Sequence, residues 1–240
     1  MSDPAVKRQS DLGVRVVSAV ALLVVVALAI YLGGIVLRVF ILAGALILLY
    51  EWWGLARRFS AGLALVLWML LGLIYIALAA MGIALLATVQ FLVPVLAIVI
   101  ATDTGAYFAG RAIGGPKIAP GISPSKTWSG LGGGMIAAAI VSVIVFTALA
   151  TRPDALPMAL GASWGSKLFL AASGAVLAVI AQAGDFFESA LKRRAGVKDS
   201  GSFIPGHGGL FDRVDGLLPV AIVTGLAITG LVVNALTDLT

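Results

Sequence analysis

The sequence predicts an all-α, polytopic integral membrane protein, with roughly seven transmembrane helices and a polar cavity that faces the cytoplasm. Three observations predict it. Hydrophobic residues make up 61% of the 240 and charged residues 11%, with a mean hydropathy of +1.11, more apolar surface than a soluble fold of this length hides. The apolar residues fall into runs close to the length that crosses a bilayer, about 20 residues. The polar residues gather in two Gly- and Pro-rich segments, 102–130 and 184–216, and irregular backbone at membrane depth is tolerated only where protein or a water-filled cavity satisfies it.

The runs follow in order. The first, 14–32, is preceded by Lys7, Arg8 and Arg15 with no small-residue cleavage site, so it reads as an uncleaved anchor. Gly33-Gly34 makes a tight turn into the second, 35–50, which is short and borrows Glu51 to Gly54 to reach full length. Residues 62–101 carry no charge and divide into spans at 62–80 and 84–101, with a turn between Ala80 and Gln90. The fifth, sixth and seventh runs are 131–150, 166–183 and 217–236. The chain thus reads as one membrane domain, 1–240, with N-terminal spans over about 14–101 and a chemistry-bearing part over about 102–240.

Placing the N-terminus inside puts Arg57, Arg58, Arg111, Lys117, Lys126, Lys192, Arg193, Arg194, Lys198 and Arg213 inside too, and leaves Arg38, Arg152 and Lys167 near the outer side. That asymmetry obeys the positive-inside rule, and describes a multi-pass inner-membrane protein whose polar site opens to the cytoplasm. The net charge of +5 suits anionic lipid headgroups. Nucleic acid is not an expected partner, because the basic residues are scattered through loops rather than gathered in a stripe. The absence of cysteine excludes disulfides, thiolate metal sites and a thiol nucleophile.

Ten of the 27 charged side chains lie between Asp185 and Asp215, five of each sign. Charge at a bilayer is costly, so this island points to water, metal or a charged substrate. Asp212 and Asp215 are three apart, which on a helix puts both carboxylates on one face. Such a pair suits Mg²⁺, or equally an interfacial helix cap. Asp185 is followed by Ser189, Lys192 and Arg193 at i+4, i+7 and i+8, with Glu188 close by. That face either holds a metal and a polyphosphate together or is a snorkelling helix end. Asp103 closes the uncharged stretch and needs a partner, either a metal or the cations Arg111 and Lys126.

Ser123-Pro124-Ser125-Lys126-Thr127 is a hydroxyl-rich turn ahead of Gly130 and Gly132 to Gly134. It offers hydroxyls, N–H groups and one ammonium to an anion at a helix N-terminus, while the glycines also permit close helix approach. It is not a Walker A loop. His207, the only histidine, is placed to hydrogen-bond a phosphate or to transfer a proton.

Taken together, Ser189…Lys192-Arg193, Lys198-Asp199-Ser200-Gly201, Pro205-Gly206-His207-Gly208-Gly209 and Asp212-Arg213-Val214-Asp215 resemble the signature of the phosphatidate cytidylyltransferases, the membrane CDP-diacylglycerol synthases. Asp103 to Arg111, Ile122 to Thr127 and Gly184 to Ser189 resemble the same family. Two positions depart from its pattern: Ser129 stands where an acidic residue is usual, and Gly216 where serine is common. The resemblance implies the reaction CTP + phosphatidic acid → CDP-diacylglycerol + pyrophosphate, dependent on Mg²⁺, with a second, monovalent cation as a further option of the family. It implies Asp185, Asp212 and Asp215, with Asp103, as metal ligands, and Lys126 in the catalytic set. Lys192, Arg193, Lys198, Arg213, His207, Ser189 and Ser123 would bind the triphosphate and the lipid phosphate. A homodimer is compatible with this reading.

Other classes remain in view. A transporter also buries charge, but these charges cluster at one face and no inverted repeat is visible. A CTP-dependent polyprenol kinase would release CDP instead of pyrophosphate. The Asp-Gly…Ala-Arg array of CDP-alcohol phosphotransferases is absent.

Overall fold

A computed structural model describes residues 4–88, 90–150, 163–204, 206 and 208–237. Helices α1 (Pro4–Leu32), α2 (Gly34–Phe59), α3 (Gly62–Thr88) and α4 (Leu92–Ile113) run consecutively. A small antiparallel hairpin follows, β1 (Lys117–Ala119) and β2 (Ser123–Thr127). Then come α5 (Trp128–Ala150), α6 (Trp164–Ala195), the single turn α7 (Phe211–Val214) and α8 (Leu217–Thr237). Among the described residues, α2 to α6 are long and apolar enough to cross a membrane, and Val16–Leu32 and Leu217–Leu231 are shorter apolar helices.

The seven expected runs thus each lie on a helix, and five of them meet the length and composition of a span. The boundaries shift. The third helix continues to Thr88, and the chain turns around Gln90, the one described non-glycine residue in left-handed backbone, with φ 63. The fourth helix therefore starts at Leu92 rather than 84. Charge does not end a helix that has partners waiting, so α2 runs on through Glu51 to Phe59 and α6 through Asp185 to Ala195. At its end, Gly196 adopts αL and its N–H reaches the Arg193 carbonyl, while the Val197 N–H reaches that of Lys192. This is the usual glycine stop, with Lys192, Arg193 and Arg194 favourably placed in the last turn. Residues 123–127, expected as a turn, form β2 instead, with Lys117 paired to Thr127.

Small residues set the helix spacing. A Cβ on Gly105 of α4 would come within 2.6 Å of Ala137 on α5, so these helices meet backbone to backbone. One end of the bundle is held by an aromatic box. Trp52, only 1% exposed, contacts Trp68, Tyr75, Phe187 and Phe211 and donates from Nε1 to the Trp68 carbonyl at 2.8 Å. Arg194 lies over the rings of Phe59 and Trp68. This box ties α2, α3, α6 and α7 together at the end that carries the charged loops.

Candidate active site

Both polar segments converge at that end. The last three turns of α6 present Asp185, Glu188, Ser189 and Lys192, and α7 lies beside them, its Asp212 paired with Lys192. Asp212 and Asp215 therefore do share a face, as their spacing predicts, but they meet different partners. Asp212 lies opposite Lys192, with Oδ1 2.6 Å from the ammonium. Asp215 lies opposite Asp185, close enough for the charge of one to bear on the other, and its Oδ1 accepts from the Gly216 N–H at 2.9 Å. The close approach is possible because Gly184 packs against the Asp215 backbone, and Gly216 places its Cα hydrogens toward Asp185 and Ala181.

The two aspartates feel opposite environments. Burial raises the Asp212 carboxyl, but the neighbouring Glu188, the Lys192 ammonium and the Gly209 and Ser200 N–H groups outweigh it and hold the group at about 2. Its Oδ2 accepts from Ser200 N at 2.9 Å, Ser200 Oγ at 3.0 Å and Gly209 N at 2.8 Å. Asp212 is thus fully occupied as an ionised anchor of the loop before it. Asp215 is pushed up to about 8 by burial first, then by the charge of Asp185, with Asp103 adding to it and the Gly216 N–H opposing. Crowded acidic groups of this kind mark functional sites.

Lys126 reaches from β2 to ion-pair with Asp185, both side chains being partly buried. Asp103, on α4, lies within electrostatic reach of both. The hairpin that delivers Lys126 is anchored where Ser129 Oγ donates to the Gly114 carbonyl and shares a hydrogen bond with Thr127. Ser129 therefore ties the start of α5 to the end of the Gly114 turn. Glu188, 1% exposed, pairs with Lys192 at 2.6 Å through Oε2, while its Oε1 has no hydrogen-bond partner among the described residues.

Lys126, Asp185, Glu188, Lys192, Asp212 and Asp215 line a cavity of about 420 Å³, and Asp103 stands outside its lining; the volume is within the range of ligand pockets, about 300–1,000 Å³. Ser123, Ser189, Arg193, Lys198 and Arg213 form its wall with Lys126 and Lys192. Arg193 Nε also donates to the Ile122 carbonyl at 3.3 Å, closing the hairpin over α6. Of the residues expected to form the site, only His207 lies outside the described residues. Among the described residues, no three acidic or histidine side chains converge as a ready-made metal set. Two facing carboxylates still suit Mg²⁺, which takes one or two protein carboxylates and completes its shell with phosphate oxygens and water.

One residue escaped the sequence reading as part of this end. Glu51, 3% exposed on α2, accepts from the N–H groups of Leu210 and Phe211, both at 2.8 Å, and from Ser200 Oγ at 3.1 Å. The signal was a lone carboxylate inside an apolar run, which requires a partner.

Comparison with known proteins places this architecture. The model of the cytidylyltransferase family matches residues 64–230. The chain belongs to the cytidylyltransferase family. It is similar to the phosphatidate cytidylyltransferase of Brucella suis biovar 1 (strain 1330), 40% identical over 190 residues covering 76% of this chain and 61% of the relative. It is also similar to the phosphatidate cytidylyltransferase of Bacillus subtilis (strain 168), 43% identical over 117 residues, 49% of this chain and 39% of the relative. A third, from Mycobacterium leprae (strain TN), is 36% identical over 131 residues, 55% and 38% of the two chains. The match spans 61% of the length of the Brucella suis relative. The family match contains Asp103, Lys126, Asp185, Asp212 and Asp215 and begins after Glu51.

Proposed function

We propose that this member of the cytidylyltransferase family transfers the cytidylyl group of CTP to phosphatidic acid, forming CDP-diacylglycerol and pyrophosphate. The observation that carries the reading is the facing pair Asp185–Asp215, with Lys126 on it, in a cavity walled by Lys192, Arg193, Lys198 and Arg213. That is the equipment needed to bring two anions together.

In this reaction a phosphate oxygen of phosphatidic acid forms a bond to the α-phosphorus of CTP while the bond from that phosphorus to the bridging oxygen of pyrophosphate breaks. The electron pair leaves with pyrophosphate, so no side chain need act as nucleophile. What the protein supplies is position and charge compensation. Asp185 and Asp215, with Asp103 near them, would hold Mg²⁺, which neutralises charge on the phosphates when bound. Lys126 offers its ammonium from the hairpin side. Lys198, Arg193 and Arg213 provide a basic wall for the triphosphate and lipid phosphate, and Ser123 and Ser189 add hydroxyl donors. Lys192, held between Glu188 and Asp212 at 2.6 Å from each, is a fixed positive charge.

The charged end faces the cytoplasm in this reading, because Arg57, Arg58, Arg111 and Lys117 flank it along with the cavity cations while Arg38 and Lys167 lie at the other end. Seven crossings then put the C-terminus outside. Phosphatidic acid enters sideways from the inner leaflet with its headgroup in the cavity.

The test is to incubate purified protein with phosphatidic acid micelles, CTP and Mg²⁺ and to assay both products. Equimolar CDP-lipid and pyrophosphate are expected. Release of CDP without pyrophosphate would indicate a kinase, and absence of either product across detergents and divalent ions would overturn the assignment.

A further inference from the structure

The segment from Lys198 to Leu210 begins with Lys198 and Asp199 in the cavity lining, yet among its described residues its regular structure amounts to one isolated bridge, Ile204 to Gly208. Two carboxylates, buried Glu51 and half-buried Asp212, give it shape. Asp212 takes the N–H groups of Ser200 and Gly209, and Glu51 takes those of Leu210 and Phe211. The hydroxyl of Ser200 lies between them, 3.1 Å from Glu51 Oε2 and 3.0 Å from Asp212 Oδ2. A hydroxyl has one proton to donate, so the two carboxylates share it, and a shift of either moves Ser200. The glycines fit this arrangement closely. A Cβ on Gly201 would lie 2.6 Å from Glu51 Oε1, and one on Gly209 would lie 2.7 Å from both Glu51 oxygens and overlap Ser200 Oγ. The loop is wrapped around a carboxylate that α2 supplies from about 150 residues earlier in the chain.

We propose that Glu51 is a positioning residue for the nucleotide wall of the cavity, acting through Ser200 on Asp212 and through Asp212 on Lys192. Glu51 does not line the cavity, whereas Lys192, Lys198, Asp212 and Arg213 do. Both Glu51 oxygens accept from backbone N–H groups, so a glutamine there turns one acceptor into a donor aimed at an N–H. An aspartate keeps the charge but is one methylene too short to keep all three bonds.

The proposal rests on the cytidylyltransferase reading for its kinetic arm only. In detergent-solubilised full-length protein, Glu51→Gln is expected to raise KM for CTP by about tenfold or more with kcat changed by less than about threefold, because a displaced wall loses binding before it loses chemistry. Trypsin cleavage after Lys198 and Arg213 should accelerate in the same variant, and this arm needs no turnover. Ser200→Ala, which leaves the Leu210 and Phe211 bonds in place, should give a smaller rise in KM. The double variant should be no worse than Glu51→Gln alone, since both changes break one chain of contacts. If Glu51→Gln does not fold, Ser200→Ala carries the test. Wild-type KM and wild-type cleavage in the variant that folds would overturn the proposal, as would accelerated cleavage with KM unchanged, which would reduce Glu51 to a structural tie. A wild-type protein inactive with CTP and phosphatidic acid would sink the functional reading instead, and equal tryptic cleavage of wild type and Glu51→Gln would then still overturn the role given to Glu51.

Discussion

Gly184 of α6 lies directly against the carbonyl oxygen of Asp215, so a Cβ at that position would overlap it and come within 2.7 Å of Pro219 Cγ. Backbone cannot yield as a flexible side chain does, so Gly184→Ala must push α7 and α8 away from α6. The expected cost is about 1–3 kcal/mol of stability. Separation of Asp185 from Asp215 should lower CDP-lipid formation more than tenfold, a change larger than the loss of folded protein explains. Thermal unfolding in detergent beside specific activity checks this, and a fully active Gly184→Ala would show that the tight crossing does not set the carboxylate pair.

Lys126 is the cation that faces Asp185 from the hairpin. Lys126→Met removes that charge while keeping much of the side chain's length. The expected result is a loss of about 10²-fold or more in kcat/KM, the scale seen when a preorganised electrostatic group is deleted. Lys126→Arg should recover only part of it, because a planar guanidinium does not replace a compact ammonium. Equal activity of the Met and Arg variants would remove Lys126 from the catalytic set.

Trp52 reports on what holds the charged end together. It is buried among Trp68, Tyr75, Phe187 and Phe211, and a Cβ on Gly72 would overlap its indole. Trp52→Ala should cost about 3–5 kcal/mol through lost burial and the cavity left behind. Trp52→Phe should cost less but leave the Trp68 carbonyl without its Nε1 donor. Thermal midpoints of the two variants give the comparison.

The helices were legible in the sequence because each apolar run has its own length and punctuation: Gly33 and Gly34 end one, and the charge-free 62–101 stretch had to turn once. The hairpin was not. Ser123 to Thr127 has no apolar alternation and contains a proline, and it becomes a strand only because Lys117 and Thr127 find each other. The site divides in the same way. Spacing alone put Asp212 and Asp215 on one face, and that face does meet α6. Which of the two would be consumed by Lys192 and the Ser200 loop, and which would face Asp185, depends on contacts across separate elements that no local pattern encodes. Glu51 is the extreme case, since its partners lie 149 to 160 residues away.

Removal of divalent ions should abolish turnover reversibly, because the triphosphate, the lipid phosphate and the Asp185–Asp215 pair are all negative. Chelation followed by dialysis should give no CDP-lipid, and Mg²⁺ should restore it. Undiminished turnover in chelator would exclude Asp185 and Asp215 as ligands of an essential ion.

Asp215 gives the sharpest test, because its environment makes stability and activity respond in opposite directions. Its carboxyl is raised from 3.8 to about 8, by burial first and then by Asp185. A group that holds its proton more tightly in the fold stabilises the fold fully below its unfolded pKa, and that contribution is lost as pH rises through the folded value. Without divalent ions, the thermal midpoint of the wild type should therefore fall between about pH 4 and pH 8 by the share that Asp215 contributes. Asp215→Asn fixes a neutral side chain of the same shape and should flatten that part of the profile, making the variant at least as stable as the wild type at pH 8. The same substitution removes a proposed ligand and should abolish CDP-lipid formation. A variant that is folded, pH-insensitive and inactive is the expected outcome. An active Asp215→Asn would defeat the metal assignment, and an unchanged stability profile would show that the proton is not held where the packing of Asp215 against Asp185 puts it.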